Sequence, residues 1–379
     1  MKKKIIFLAA IVFFIFNAKD SFAQNKFYVS IHFPKELANQ KVEVSYEDGK
    51  TIRKVPFLLH QNTINISDSF YYNRAIILVH IDSNQLNYPV YNAFFVDKEP
   101  ASITFNDEKN TNKNTQLYTL RNAVDLIKME DEVDQFTEPE QKAFNAFQSN
   151  TMSNDSSFAI NKKLVRNWND KKLDFIKQHR NEYFSFWLFR REIAPNFFMD
   201  PDSLIAFYKT NFPDTFINSA EGNEVMEILY GRKLASSVNM QAPDFNVTDI
   251  NGNKVDLKDC RGKYVLINFW ASWCGPCVGE LPAIKKISDH YSPKKLVIIT
   301  NTIDSDSSAF LYALNKYGMT HWVNVYKDAD LVKKFGGAVA IPQLFLIDPM
   351  GKVIYNRSYN LADNEKLSRL NKILKEQLQ

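Results

Sequence analysis

Apolar residues recur with a period of two through the first hundred positions of the chain. Phe27, Val29, Ile31 and Phe33 alternate with Tyr28, Ser30 and His32, and Val42, Val44 and Tyr46 alternate with Glu43 and Ser45. Such alternation sets one face of a strand on a core and the other in water. Glu47-Asp48-Gly49-Lys50 predicts a hairpin turn. Val55/Phe57/Leu59, Ile64/Ile66, Ala75 to Ile81 and Ile103/Phe105 extend the pattern, so residues 24–112 are expected to form an all-β domain of six to eight short strands. That domain carries no chemical motif. Asn106 to Thr115 is polar and reads as a linker. The period then lengthens. Leu117, Leu120, Val124 and Ile127 follow 3-4-3 spacing, and Leu164, Trp168, Phe175, Ile176, Val225, Ile228 and Leu229 continue it. Residues 113–238 are therefore expected to be helical, with their aromatic stripes serving as packing between helices. Ala235 to Gln241 is a second linker.

From Ala242 the rhythm alternates between buried-strand runs and amphipathic stretches. Tyr264 to Trp270, Leu296 to Asn301, Trp322 to Tyr326, Gln343 to Ile347 and Val353 to Tyr359 read as strands. Helices are expected from about Cys274, over Ser307 to Tyr317, over Ala329 to Phe335, and at the chain end. This alternation predicts an α/β domain over residues 239–379.

The amino-terminal segment reads as an address. Lys2-Lys3-Lys4 precedes an unbroken apolar run from Ile5 to Phe16, and a polar stretch ends in Ser21-Phe22-Ala23. Residues 1–23 thus have the three parts of a secretory signal, with cleavage expected before Gln24. The apolar run rises only about 18 Å as a helix, short of a hydrocarbon core of about 30 Å. No Cys follows it, so no lipid anchor is expected there. The expected location is the periplasm or cell envelope, where disulfides persist. Composition narrows the rest. Lys and Arg number 47 against 43 Asp and Glu, a spread-out excess of +4 that calls for no nucleic-acid partner. Three Cys are too few for a disulfide-built scaffold.

The chemistry concentrates in Trp273-Cys274-Gly275-Pro276-Cys277, directly after a buried strand and at the start of a helix. Cys-x-x-Cys in that setting reads as a dithiol redox site. The amino end of a helix offers unpaired N–H groups and about half a positive charge, which favour a thiolate. Cys274 is expected to be the exposed nucleophile, and Cys277, one turn on, the shielded thiol that resolves a mixed disulfide. A structural disulfide across so short a loop would be a poor staple. Cys260 and His290 flank the pair, but their spacing fits no familiar zinc motif, so no metal is expected. Cys260 reads as a bystander, and His321 and the Lys pairs 285/286, 294/295 and 333/334 as surface.

Residues 242–379 resemble the thioredoxin fold, in its TlpA/ResA-like extracytoplasmic branch. The resemblance rests on Ala242-Pro243-Asp244-Phe245, Gly262-Lys263, Asn268 to Cys277, Glu280-Leu281-Pro282, and Ile341-Pro342 with Phe345 to Asp348. It covers a little over a third of the chain. It implies a thiol–disulfide oxidoreductase that needs no cofactor beyond its own Cys pair and acts on protein disulfides. It also implies a cis peptide before Pro342 and a substrate groove formed by Trp273, Gly275, Pro276, Ile341 and Pro342. Thioredoxins carry an acid six residues before the first Cys, where this chain has Asn268; the branch has a Glu three residues after the second Cys, here Glu280. Spacing of three on a helix puts Glu280 on the face of Cys277. A partly buried carboxyl there would have a raised proton affinity and could exchange a proton with the Cys277 sulfur. Pro282 is expected to kink the helix. Gly275-Pro276 matches reducing thioredoxins. A reductase in that compartment implies a membrane thiol-transfer protein as electron donor, and cytochrome c apoprotein is one possible substrate. Two other classes stay in view. One is a binding or assembly protein worked by its first 240 residues. The other is a thiol peroxidase, disfavoured because that motif wants Pro and Thr or Ser where Ile267 and Ala271 stand.

Overall fold

The structure, a computed structural model, describes residues 25–35, 41–56, 62–82, 90–106, 118–150, 155–336, 341–357 and 367–378. The expected signal segment, most of the first linker and the strand positions Phe57, Leu59 and Tyr359 lie outside the described residues. The chain divides into two compact units, residues 1–189 with 209–223, and residues 190–208 with 224–379.

Among the described residues of the first unit, nine strands form two sheets. They are β1 (Asn25–His32), β2 (Lys41–Glu47), β3 (Ile52–Val55), β4 (Thr63–Phe70), β5 (Ala75–Asp82), β6 (Val90–Val96), β7 (Ala101–Phe105), β8 (Tyr118–Arg121) and β9 (Ala123–Asp125). One sheet has the order β4-β1-β7-β8 and the other β3-β2-β5-β6-β9. The alternating residues of both meet in one core: Phe27, Val29 and Ile31 of β1 with Ile77 and Val79 of β5 and Phe94 and Val96 of β6. This is a β-sandwich, as the period of two requires.

The helical reading of Leu120 and Val124 is corrected: they lie on β8 and β9, and helix begins only at Leu126. Their spacing matched a helix, but pairing decided the outcome. β8 runs antiparallel to β7 and β9 antiparallel to β6, and Asn122 between them takes φ 53, letting the chain cross from one sheet to the other. The helices that follow are α1 (Leu126–Phe136), α2 (Glu138–Asn150), α3 (Asp155–Gln178) and α4 (Tyr183–Leu188), then α5 (Pro201–Asn211), α6 (Asp214–Ile217) and α7 (Ala220–Ala235). Phe95, on the outer face of its sheet, meets Tyr183 and Trp187 edge-on at 5.1 and 5.6 Å. Glu221 is fully buried and accepts from the Tyr183 hydroxyl at 2.9 Å and from the Asn73 amide at 3.1 Å.

The second unit is built on a five-stranded sheet. Strands β10 (Asn246–Thr248) and β11 (Lys254–Asp256) form a small hairpin ahead of it. The sheet uses β12 (Tyr264–Trp270), β13 (Leu296–Thr302), β14 (Val323–Tyr326), β15 (Gln343–Ile347) and β16 (Val353–Asn356), in the order β14-β13-β12-β15-β16. The first three are parallel, and β15 and β16 are antiparallel additions. Helices α8 (Gly275–His290), α9 (Ser307–Lys316), α10 (Ala329–Lys334) and α11 (Ser368–Gln377) complete it. All seven residues of β12 are buried, so both faces of the sheet are covered. Leu266 and Trp270 face a core made with α8, α9 and α11, while Val265, Ile267 and Phe269 face one made with α10 and Leu234 of α7.

The carboxyl-terminal half of α7 is thus part of this unit. Asn239 N donates to Val353 O at 2.7 Å and Val353 N to Met240 O at 2.8 Å, so the expected second linker pairs with the sheet edge at β16. The buried Asn356 amide donates to Leu234 O at 2.8 Å. Gly231 lies against the end of α10. A Cβ there would stand 2.8 Å from Gly336 N and would overlap Lys333 O, and Gly336 itself takes φ 96. Both obstacles are backbone and cannot rotate away. Gly231→Ala is expected to destabilise this unit by about 1–3 kcal/mol, measured as a lower denaturant midpoint with an unchanged m-value.

Candidate active site

β12 carries the chain to the site, and a three-residue turn, Ala271-Ser272-Trp273, redirects it into α8. Asp304 holds that turn. It is 1% exposed, accepts from Ser272 N at 3.0 Å and Ser272 Oγ at 2.8 Å, and also accepts from Thr302 Oγ1 at 2.6 Å. Sequence reasoning missed Asp304; its signal was an acid just past a buried strand, which alone points to nothing.

Cys274 caps α8. Its Sγ accepts from Cys277 N at 3.2 Å, so the sulfur occupies the position where a helix amino end presents its unpaired N–H groups. Pro276, in the first turn, costs no hydrogen bond there. Cys274 and Cys277 form a disulfide with Cα atoms 5.2 Å apart. The expected exposure of Cys274 is corrected: it is 6% exposed and Cys277 2%. The bridge and the cap turn the Cys274 sulfur inward along the helix, and the surface around it belongs to Trp273, 67% exposed, and to the exposed Gly275 and Pro276.

The Ile341–Pro342 peptide is cis. Gln343, the first residue of β15, pairs with Phe269 near the end of β12. Ile341 and Pro342 therefore lie at the end of the sheet where β12 hands over to the dithiol. Trp273, Cys274, Gly275, Pro276 and the cis peptide gather at that one end.

Beneath α8 a polar row, Asn324, Thr300 and Asn268, crosses three successive strands; the next cross-strand partner is the apolar Leu344, whose O accepts from Arg357 N at 2.9 Å. Asn268 shares the face of Leu266 and Trp270 by strand alternation, which is the face that α8 covers. It is 2% exposed, and its Nδ2 has no hydrogen-bond partner among the described residues. Glu280 lies on the inner side of α8 with Cys277 and Leu281, as the spacing predicted, and is 1% exposed. Glu280 also has an ionic partner that the sequence did not disclose: Arg357 Nε donates to Glu280 Oε1 at 2.9 Å. Burial favours the neutral carboxyl and the guanidinium favours the ion. Pro282 is accommodated, since α8 runs through it to His290.

Cys260 ends a 3₁₀ turn and packs with Val265, Ile267 and Phe269 on the other face of the sheet. The sheet separates it from the dithiol, and burial pushes its thiol pKa up. A raised pKa leaves less thiolate at any given pH. In the reduced native protein at mildly alkaline pH, Cys260 is therefore expected to be alkylated much more slowly than after unfolding. Peptide mapping of timed labelling checks this; equal rates in the two states would place Cys260 at the surface.

A family profile described as Redoxin matches residues 237–374. The thiol-disulfide oxidoreductase ResA of Bacillus cereus is 33% identical over 138 residues, which are 36% of this chain and 79% of that protein. ResA of Bacillus subtilis is 29% identical over 135 residues, covering 36% of this chain and 75% of the relative. Among solved structures, the thioredoxin domain of a thiol-disulfide oxidoreductase from Bacteroides vulgatus is 26% identical. It covers 36% of this chain and 97% of its own, with a TM-score of 0.31.

Proposed function

This chain belongs to the thiol-disulfide oxidoreductase family of ResA, and from that membership we propose that it works outside the cytoplasm as a reductase of protein disulfides. The observation that carries the reading is the Cys274–Cys277 pair at the amino end of α8, at the same end of the sheet as the cis Ile341–Pro342 peptide. Once the pair is reduced, the Cys274 thiolate, favoured by the helix amino end, attacks one sulfur of a substrate disulfide. The other substrate sulfur leaves with the bonding electrons and is protonated. Cys277 loses its proton and attacks Cys274 Sγ, and the second substrate sulfur leaves as a thiolate. The substrate has gained two electrons, and the protein is back in the disulfide state. An extended substrate segment pairs with the backbone of Ile341, and Trp273 forms an apolar wall beside it.

The reducing direction is supported by Gly275-Pro276 and by the family resemblance. Turnover then needs a dithiol donor, for which a membrane thiol-transfer protein fits the compartment, and cytochrome c apoprotein is a candidate substrate. The location rests on the basic, apolar and small-residue pattern of residues 1–23. Among the described residues no helix is long and apolar enough to cross a membrane. Glu280 is the proton partner of Cys277, supported by its burial on the inner face of α8 one turn further on.

Insulin reduction tests the reading. Wild type is expected to be active and Cys274→Ser inactive, with equal activities sinking it. Cys277→Ala should accumulate mixed disulfides with its substrates through Cys274. A cellular pool that is fully oxidised, and stays so when the membrane donor is deleted, would count against the reducing direction. For Glu280→Gln, the fold should persist while the pH profile of exchange changes, with a rate loss of roughly tenfold or less at neutral pH. Profiles that superimpose on the wild type would reduce Glu280 to a helix-end charge.

A further inference from the structure

Glu280 can accept a proton only while it is ionised, and its 1% exposure works against that. Arg357 is a described group that opposes burial. Its Nε donates to Oε1 at 2.9 Å, and its side chain is 17% exposed against 2% for the carboxylate side chain. The cation is held from behind. Arg357 N is bonded to Leu344 O, two residues after Pro342, and the preceding Asn356, fully buried, donates to Leu234 O at 2.8 Å and Ser237 O at 3.4 Å. The guanidinium cannot leave Glu280 by backbone movement without dismantling the end of β16.

The core that α8 covers draws on several neighbouring elements. From β12 comes the uncharged Asn268, and from β15 Leu344 and Leu346. β16 contributes the buried phenol of Tyr355 besides Arg357, and α11 turns Leu370 and Leu374 inward. On α8 itself the titratable neighbours are the two cysteines.

We propose that Arg357 is a positioning residue for disulfide exchange: it holds the Glu280 carboxyl as an oriented ion one helical turn from Cys277, ready to take the Cys277 proton. The step balances within the cycle above. The Cys277 thiol gives its proton to the Glu280 carboxylate and its electron pair forms the bond to Cys274 Sγ. The bond from Cys274 to the substrate sulfur breaks, and that sulfur leaves as a thiolate. This inference rests on the reading of Glu280 as the proton partner.

The test is the pH dependence of single-turnover exchange between the reduced full-length protein and insulin. Arg357→Gln is expected to move the limb that depends on Glu280 to higher pH by about one unit or more, the effect of removing an adjacent opposite charge. Arg357→Lys, which keeps the charge, should restore most of that shift. In a Glu280→Gln background, Arg357→Gln should add no further shift, since the group it acts on is gone. An Arg357→Gln profile lying on the wild type, or the same shift in both backgrounds, overturns the inference. If Glu280→Gln itself leaves the profile unmoved, the reading of Glu280 fails instead, whatever Arg357 does. Should Arg357→Gln alone not fold, Arg357→Lys and the doubly neutral Glu280→Gln/Arg357→Gln carry the test. The first must then follow the wild type and the second Glu280→Gln, and any other pairing overturns the proposal.

Discussion

Everything chemical in this protein's redox domain depends on β12 being buried on both faces along its whole length. A strand closed in that way has no free side, and it leaves its end as the place where it can present chemistry. The end is where the strand stops, Asp304 clasps the turn, and α8 begins with a sulfur in its cap position. Burial of the strand and placement of the dithiol are one constraint. The hydrophobic run that makes the strand also fixes where the helix amino end must lie.

The second constraint is electrostatic. A carboxyl taken out of water beside a thiol that must change its protonation state is costly unless its charge is met. Arg357 meets it from just past the last strand of the sheet, 77 residues away in sequence. The pair shares the underside of α8 with the uncharged polar row of Asn324, Thr300 and Asn268.

What the sequence disclosed follows from how local each signal is. The dithiol, the helix it opens and the five sheet strands were legible because periodicity and Cys spacing are read within a few residues. The sandwich was legible from its alternation, but Leu120 and Val124 were misread, since three-and-four spacing over two short strands is indistinguishable from a helical stripe until their partners are known. The inward turn of the Cys274 sulfur escaped because side-chain exposure depends on the bridge. Arg357 and Asp304 escaped for a deeper reason. Each is an ordinary charged residue whose meaning is a partner 77 or 32 positions away.

The close approach of Gly231 to Gly336, with the Asn356 amide bonded to Leu234 and Ser237, bears on where the redox module begins. The stretch that relatives share opens near residue 237, yet the sheet edge at β16 borrows the segment just before Ala242 and the helix ahead of it. A fragment cut at residue 237 would strip the Leu234 carbonyl from the buried Asn356 amide, take the Leu234 side chain out of the core it shares with Val265 and Phe335, and uncover the end of α10 that Gly231 meets. The core of the redox unit therefore reaches further toward the amino terminus than the stretch matched by the family profile.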